Sequence, residues 1–273
     1  IHGFRTIFPI PLALGSTWDE AAVEKMAEIS AKEAAVSGLH VTFSPMVDLV
    51  RDPRWGRVME STGEDPLLNS RLAAAMVRGY QGENLKEDNW RVAACVKHFA
   101  AYGGALAGRD YNTVDMSERQ LREMYLPGYK AGLDAGAKLV MTSFNTVDGI
   151  PATGNQWLFR DVLRNEFGFE GVVISDWGAI KELIPHGVAK DEKQAAELAI
   201  KAGVDIEMMT TCYPDYLKEL LEEGRIAETL IDEAVMRILK LKNELGLFEN
   251  PYRGADEQAE AEVILSKEHR EIA

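Results

Sequence analysis

Short, wholly apolar runs separated by longer stretches of helical spacing limit this chain more tightly than any other feature. The runs at 39–46, 92–100, 138–144, 171–177 and 204–209 are β-branched and apolar throughout, where a half-exposed strand would alternate. Between or beside them, 19–36, 65–81, 117–135, 156–167 and 190–202 carry apolar residues at helical spacing. Strands buried on both faces belong to a parallel sheet clad by helices, which is an α/β fold, either a barrel or a doubly wound sheet. Polar residues gather where the runs end: Asp48, then Lys97 and His98, then Ser143 and Asn145, then Asp176, then Glu207. A (β/α)8 TIM-like barrel puts all those ends on one functional rim, whereas a doubly wound sheet gathers its ligand at one crevice. The barrel is the expectation. Closure needs eight strands, and beyond the five runs there is only a weaker candidate at 8–14, so the barrel is expected to be incomplete.

Residues 1–248 are expected to form the barrel unit. The stretch from 249 to 273, which opens ENPYRGADEQAEAE, is expected to be a linker and the start of a following domain. The closing SKEHREIA begins a helical pattern with nothing left to pack on, and the first residue is not Met, so both ends read as cut. Association of copies of the chain is expected to cover open edges.

Charge narrows the ligand. With 30 basic against 44 acidic residues the net charge is −14, which argues against nucleic acid or an anionic membrane surface as the partner. No apolar run reaches the roughly 20 residues of a membrane span. Cys95 and Cys212 are too few for a disulfide framework, and the five histidines, at 2, 40, 98, 186 and 269, lack metal-ligand spacing. There is no GxxxxGK[ST] loop, no GxGxxG after a strand and no GxSxG elbow. No metal and no cofactor are expected. What survives is carboxylate chemistry on a neutral polyol.

Asp176 closes the run GVVISD, where a carboxylate serves as nucleophile, base or helix cap. Trp177 beside it offers an indole face for a sugar ring. Lys97 and His98 sit at a strand end, able to donate to hydroxyl groups, and a lysine there needs a charge partner. The loop MVDLVRDPRWGRVMESTGEDP concentrates Arg57 and Glu60 with other charged residues, and Asp110 in GRDYN is expected to pair with Lys97 or Arg57. Phe144 and Met208, at the ends of two runs, complete the candidate ligand contacts.

Taken in order, SPMVDLVRDPRWGRVMESTGEDP, VKHFAAYG, YNTVDMSERQLREMYLPGYKAGLDAGAKLVMTSFN and VVISDWGAIKEL resemble the catalytic barrel domain of glycoside hydrolase family 3, in its bacterial periplasmic β-glucosidase branch. The resemblance spans nearly the whole chain. It implies a retaining exo-acting β-glycosidase that releases terminal β-D-glucosyl residues, with Asp176 as nucleophile. By motif, Lys97 and His98 match the pair that holds sugar hydroxyls, Arg57 the WGR arginine of the same subsite, and Trp177 the residue flanking the sugar. It also implies a periplasmic or secreted enzyme acting on oligosaccharides or β-glucosides. Three departures follow. The family's sugar-binding Asp precedes the His-Gly that stands here as His2 and Gly3. Phe144 occupies a position where many members carry a Tyr near the nucleophile. The acid/base Glu of two-domain members lies on the following domain, outside this chain. A single-domain branch uses a His in the loop after KHF, but AAYGGALAGRDYN holds none. β-Xylosidase activity, and a catalytically inactive carbohydrate-binding fragment, are the alternatives.

Overall fold

The computed structural model describes residues 4–273, so His2 and Gly3 lie outside the described residues. Four parallel strands form one sheet: β1 (Val41–Thr42), β2 (Ala93–Phe99), β3 (Leu139–Thr142) and β6 (Val172–Ile174), in the order β1-β2-β3-β6. A small antiparallel hairpin, β4 (Thr146–Val147) with β5 (Ile150–Pro151), follows β3. β3 and β6 are buried at every position, and β2 at all but Lys97, as strands covered on both faces must be. Single bridges extend the sheet from Met46 to Lys97 and from Ile174 to Ile206. Hydrogen bonding among the described residues therefore defines an open parallel arc and not a closed eight-stranded ring.

Helices Glu20–Ala35, Pro66–Gln81, Trp157–Glu166 and Glu192–Ala202 match the predicted stretches to within about two residues. Asp19, Asp65 and Asp191 cap three of them through their carboxylates. The first two cross closely because Gly79 has no side chain: a Cβ there would sit 2.3 Å from the carbonyl oxygen of Glu24. Helix 118–134 widens over Leu121–Tyr125. Pro127 just beyond cannot donate its backbone bond, which is a common reason for such a turn.

Three expectations are corrected. The stretch 8–14 is not a strand: Ile10 is extended and Pro11 starts helix Pro11–Thr17, its fixed φ and missing N–H suiting a first helical position. The run 204–209 supplies one bridge instead of a strand. The Asp205 carboxylate takes the Val173 N–H at 2.8 Å, a donor that a ladder would have used, and binds Arg164 at 3.1 Å and Arg237 at 2.9 Å. Helix Cys212–Glu222, absent from the periodicity reading, has its opening N–H groups taken by the Glu207 carboxylate, at 2.9 Å from Cys212 and 2.7 Å from Tyr213.

The closing segment does find a surface within the chain. Arg253 is buried and donates to the carbonyls of Leu85 and Leu245 at 2.7 Å, and to that of Asp88. Helices Glu257–Val263 and Lys267–Ile272 follow. Buried His269 meets Glu33 through Nδ1 at 2.7 Å. Glu33, itself buried in helix Glu20–Ala35, also accepts from the Thr6 backbone at 3.0 Å, the Thr6 hydroxyl at 2.6 Å and the Leu265 backbone at 3.2 Å. One carboxylate thus fastens both chain ends to the body. Burial alone would raise its pKa, yet the bonds from Thr6, His269 and Leu265 together hold it below the ordinary 4.5.

A depressed folded pKa stabilises above the unfolded value and is lost as pH falls through the folded one. Glu33→Gln is expected to cost about 1–3 kcal/mol at neutral pH, with the deficit shrinking below the ordinary glutamate value of 4.5. Thermal melts across that range check it; parallel loss in both proteins would rule Glu33 out as the acid-sensitive tie.

Candidate active site

Parallel strands deliver their C-terminal ends to one edge, and the polar residues expected there do meet. Asp48, fully buried, accepts from the His98 backbone at 3.1 Å, from His98 Nδ1 at 2.7 Å and from the Tyr129 hydroxyl at 2.7 Å. The far ring nitrogen of His98, Nε2, lies 3.3 Å from Asp176 Oδ2. A carboxylate at Nδ1 favours the proton on that nitrogen and turns Nε2 towards Asp176. Tyr129 remains a phenol, because burial first and the Asp48 charge second push its pKa well above 10; its oxygen is also 2.5 Å from the His98 carbonyl.

Asp176 follows β6 and is 8% exposed. Its Oδ1 accepts from the Trp177 N–H at 2.6 Å, and its own N–H donates to Thr142 Oγ1 at 3.3 Å. Thr142 in turn pairs with Thr153 at 2.8 Å, so the end of β3 braces the end of β6. Oδ2 is buried and accepts no hydrogen bond. The carboxylate is therefore held by one oxygen and left free at the other, which suits a nucleophile. No helix starts at Asp176; the turn after it leads into Lys181–Leu183, whose cap position is Ile180.

Arg57 makes a two-pronged pair with Glu60, Nε to Oε1 at 2.7 Å and Nη2 to Oε2 at 2.9 Å, and its guanidinium lies 5.6 Å over the Tyr102 ring. Burial works against its charge, but Glu60 and Asp48 outweigh burial and raise its pKa, while Arg57 holds Glu60 below the carboxylate range. Asp110 does not pair with Lys97 or Arg57 as expected: it accepts from the Trp55 indole at 2.9 Å, a donor with no other outlet once Trp55 is buried. Lys97, half-buried, lines a cleft with Glu60, Met46 and Phe43. Its charge acts on Glu60.

Phe144 is buried and packs at 5.7 Å from Tyr102 and 4.4 Å from Tyr111, so it forms a wall of the site; it has no hydroxyl to offer the nucleophile, whose Oδ1 takes the Trp177 N–H. Met208 is half-buried and works through its backbone, donating to Ser175 Oγ at 2.8 Å and accepting from Gly178 at 3.0 Å. Trp177 is 62% exposed, free to meet a ligand. Glu207 serves as a helix cap.

Sequence reading missed Tyr129, Tyr111 and Glu182. Tyr129 stands on a helix far along the chain, with no local signal beyond its burial. Tyr111 adopts a left-handed backbone at φ 61°. Glu182 is half-buried, and burial first and the Asp176 charge second raise its pKa. Among the described residues no group of three His, Cys, Asp or Glu side chains converges as a metal site, and no helix is long and apolar enough to cross a membrane.

A family model described as the glycosyl hydrolase family 3 N-terminal domain matches residues 1–241. The periplasmic β-glucosidase of Salmonella typhimurium is 46% identical across the whole chain, which spans 36% of that protein. A β-xylosidase of Formosa agariphila is 37% identical, again over the whole chain and 39% of its own length. Among solved structures, the Listeria innocua β-glucosidase in complex with glucose superposes with a TM-score of 0.96 at 63% identity, covering all of this chain and 38% of that one. A mutant of the same enzyme in complex with laminaribiose gives 0.97 at 62% identity. The chain thus spans little more than a third of the relatives it matches.

Removing Asp48 would strand His98 and Tyr129. Asp48→Ala is expected to cost about 3–5 kcal/mol and Tyr129→Phe about 1–3 kcal/mol, both read from denaturant melts. A loss below about 0.5 kcal/mol for either would mean that this buried chain does not hold the site.

Proposed function

The chain belongs to glycosyl hydrolase family 3, as its N-terminal domain, and from that membership we propose that it is the nucleophile-bearing part of a retaining, exo-acting β-glucosidase. The single observation that carries this reading is Asp176: a carboxylate at a strand end, fixed through Oδ1 by the Trp177 N–H, with a buried Oδ2 that no hydrogen bond claims.

In this reading Oδ2 of Asp176 attacks the anomeric carbon of a terminal non-reducing β-D-glucosyl unit, and the leaving oxygen takes a proton from a glutamic acid outside this chain. Water then releases the sugar from the aspartyl ester. Retaining enzymes hold their two carboxyl groups roughly 5 to 5.5 Å apart. Lys97, His98 and Arg57 hold the hydroxyls of the sugar that is attacked. Trp177 flanks that sugar, Phe144 and Met208 line its pocket, and Glu60 supports Arg57. Trp55 and Asp110 support the Tyr102 wall beneath the guanidinium. Asp48 and Tyr129 keep the imidazole turned towards the nucleophile.

The parallel arc is read as part of a TIM-like barrel spanning residues 1–248, with 249–273 leading towards a following domain. The likeness to a periplasmic β-glucosidase supports a periplasmic or secreted setting. A second reading, β-xylosidase activity, is favoured by several relatives with names of that kind; the two differ by one exocyclic carbon on the sugar.

The test uses the complete polypeptide with a 2-deoxy-2-fluoro-β-glucoside, which slows the oxocarbenium-like steps and lets the glycosyl-enzyme accumulate. Mass spectrometry is expected to find the label on Asp176, and Asp176→Asn is expected to lose at least about a thousandfold in kcat. Label on another residue would overturn the assignment, and glucose binding with no turnover of any glycoside would favour a binding-only protein. A clear preference for aryl xyloside over aryl glucoside would move the activity to the second reading.

A further inference from the structure

Residues 6–15 cross the fold as a strap pinned at both ends. At the first end Thr6 donates to the buried Glu33 carboxylate twice, from its backbone N–H at 3.0 Å and its hydroxyl at 2.6 Å. Arg5 adds a hold beside it, donating to Ser37 Oγ at 2.9 Å and to Glu260 at 3.4 Å. At the second end Gly15, in helix Pro11–Thr17, lies so close to the Thr62 carbonyl that a Cβ there would collide with it. Thr62 follows the turn Val58–Glu60, so this contact seats the helix on the residues that carry Glu60.

Between the pins, Pro9, Pro11 and Leu14 wall a cleft of about 200 Å³, the same cleft that Lys97 and Glu60 line. These two are the only charged side chains in its lining, which is otherwise apolar apart from Ser44 and Tyr80. Proline rings fix φ, so the position of this wall is set where the strap is pinned. Glu60 passes its own position on to Arg57 through their two-pronged pair at 2.7 Å and 2.9 Å. The Thr6 end is in turn held by the closing segment of the chain. Glu33 also accepts from the Leu265 backbone at 3.2 Å and meets His269 Nδ1 at 2.7 Å, while Ser37 donates to Glu260 at 2.6 Å.

We propose that Glu33 is a positioning residue for the groups that hold the sugar. Through Thr6 it keeps the strap down on the cleft, and the strap keeps Lys97 and Glu60, and with Glu60 Arg57, in place for the hydroxyls. The assignment rests on the glycosidase reading and adds to it a control of sugar holding by helices Glu257–Val263 and Lys267–Ile272. None of Thr6, Glu33, Glu260 or His269 lines the cleft, so the tie acts on binding and not on the reacting atoms.

The experiment compares the complete polypeptide with Glu33→Gln, Thr6→Val and Gly15→Ala on 4-nitrophenyl β-glucoside, with hydrogen exchange followed over residues 6–14. Exchange there is expected to quicken in all three variants while β2 stays protected. KM is expected to rise about threefold to tenfold, the size of a net hydrogen bond, with kcat within about twofold of the parent. That split marks holding lost equally from ground and transition states. Partial unfolding would instead lower the active fraction, and with it kcat, and leave KM in place. Thr6→Val keeps its backbone bond and the shape of its side chain, so it tests the strap even where Glu33→Gln fails to fold. An unchanged KM in a variant whose strap exchanges faster would overturn the proposal and leave the glycosidase reading intact. Unchanged exchange, or equal falls in kcat and kcat/KM, would do the same. A parent protein that cleaves no glycoside would overturn the glycosidase reading instead; glucose affinity of the same variants, by calorimetry, then decides the strap, a fall supporting it and no change overturning it.

Discussion

A carboxylate with no access to water sits at the centre of this fold. Burying the Asp48 charge is affordable only because three donors converge on it: the His98 backbone, the His98 ring and the Tyr129 hydroxyl. Each donor comes from an element the sheet positions, so the site exists only when β2 and helix 118–134 are docked. The same requirement gives the imidazole one orientation, with its second nitrogen towards Asp176. Partly satisfied, such a network would be worse than an apolar core; fully satisfied, it selects one arrangement.

Around that centre the polar groups divide into those that face inward and those that hold the scaffold. Arg57 and Glu60 neutralise each other in a rigid fork over Tyr102, which keeps a guanidinium charged and aimed in a half-buried place. Asp205 and Glu207 sit on the same short segment yet work at opposite ends. Asp205 secures β6 from its entry side, and Glu207 replaces a local cap for helix Cys212–Glu222. Asp205 takes the Val173 N–H that a longer strand would have paired, which is why the fifth apolar run yields a single bridge.

The chain ends obey the same accounting. Glu33 gathers donors from Thr6, Leu265 and His269, and Arg253 spends its donors on three carbonyls of the sheet-side loops. Polar anchors do here what apolar burial does in the middle: the closing segment is rich in charged and small residues, and the large apolar side chains Phe4 and Ile7 of the opening one stay exposed.

The sequence alone determined the four parallel strands and the helices Glu20–Ala35, Pro66–Gln81, Trp157–Glu166 and Glu192–Ala202, since uniform apolarity and helical spacing are local properties that burial on both sheet faces rewards directly. It also marked Asp176, Lys97, His98, Arg57 and Trp177, because strand ends and the motifs around them are contiguous in the chain. It misjudged 8–14, where the two prolines that set the start of a helix were outweighed by the apolar run around them. The tertiary structure decided what depends on distance in space: that Asp110 serves Trp55, that Glu60 serves Arg57, that Tyr129 completes the Asp48 chain from 81 positions away, and that Tyr111 stacks on Phe144. A pattern along the chain records which faces are buried. Which donor meets which acceptor is settled only when packing brings them within hydrogen-bond reach.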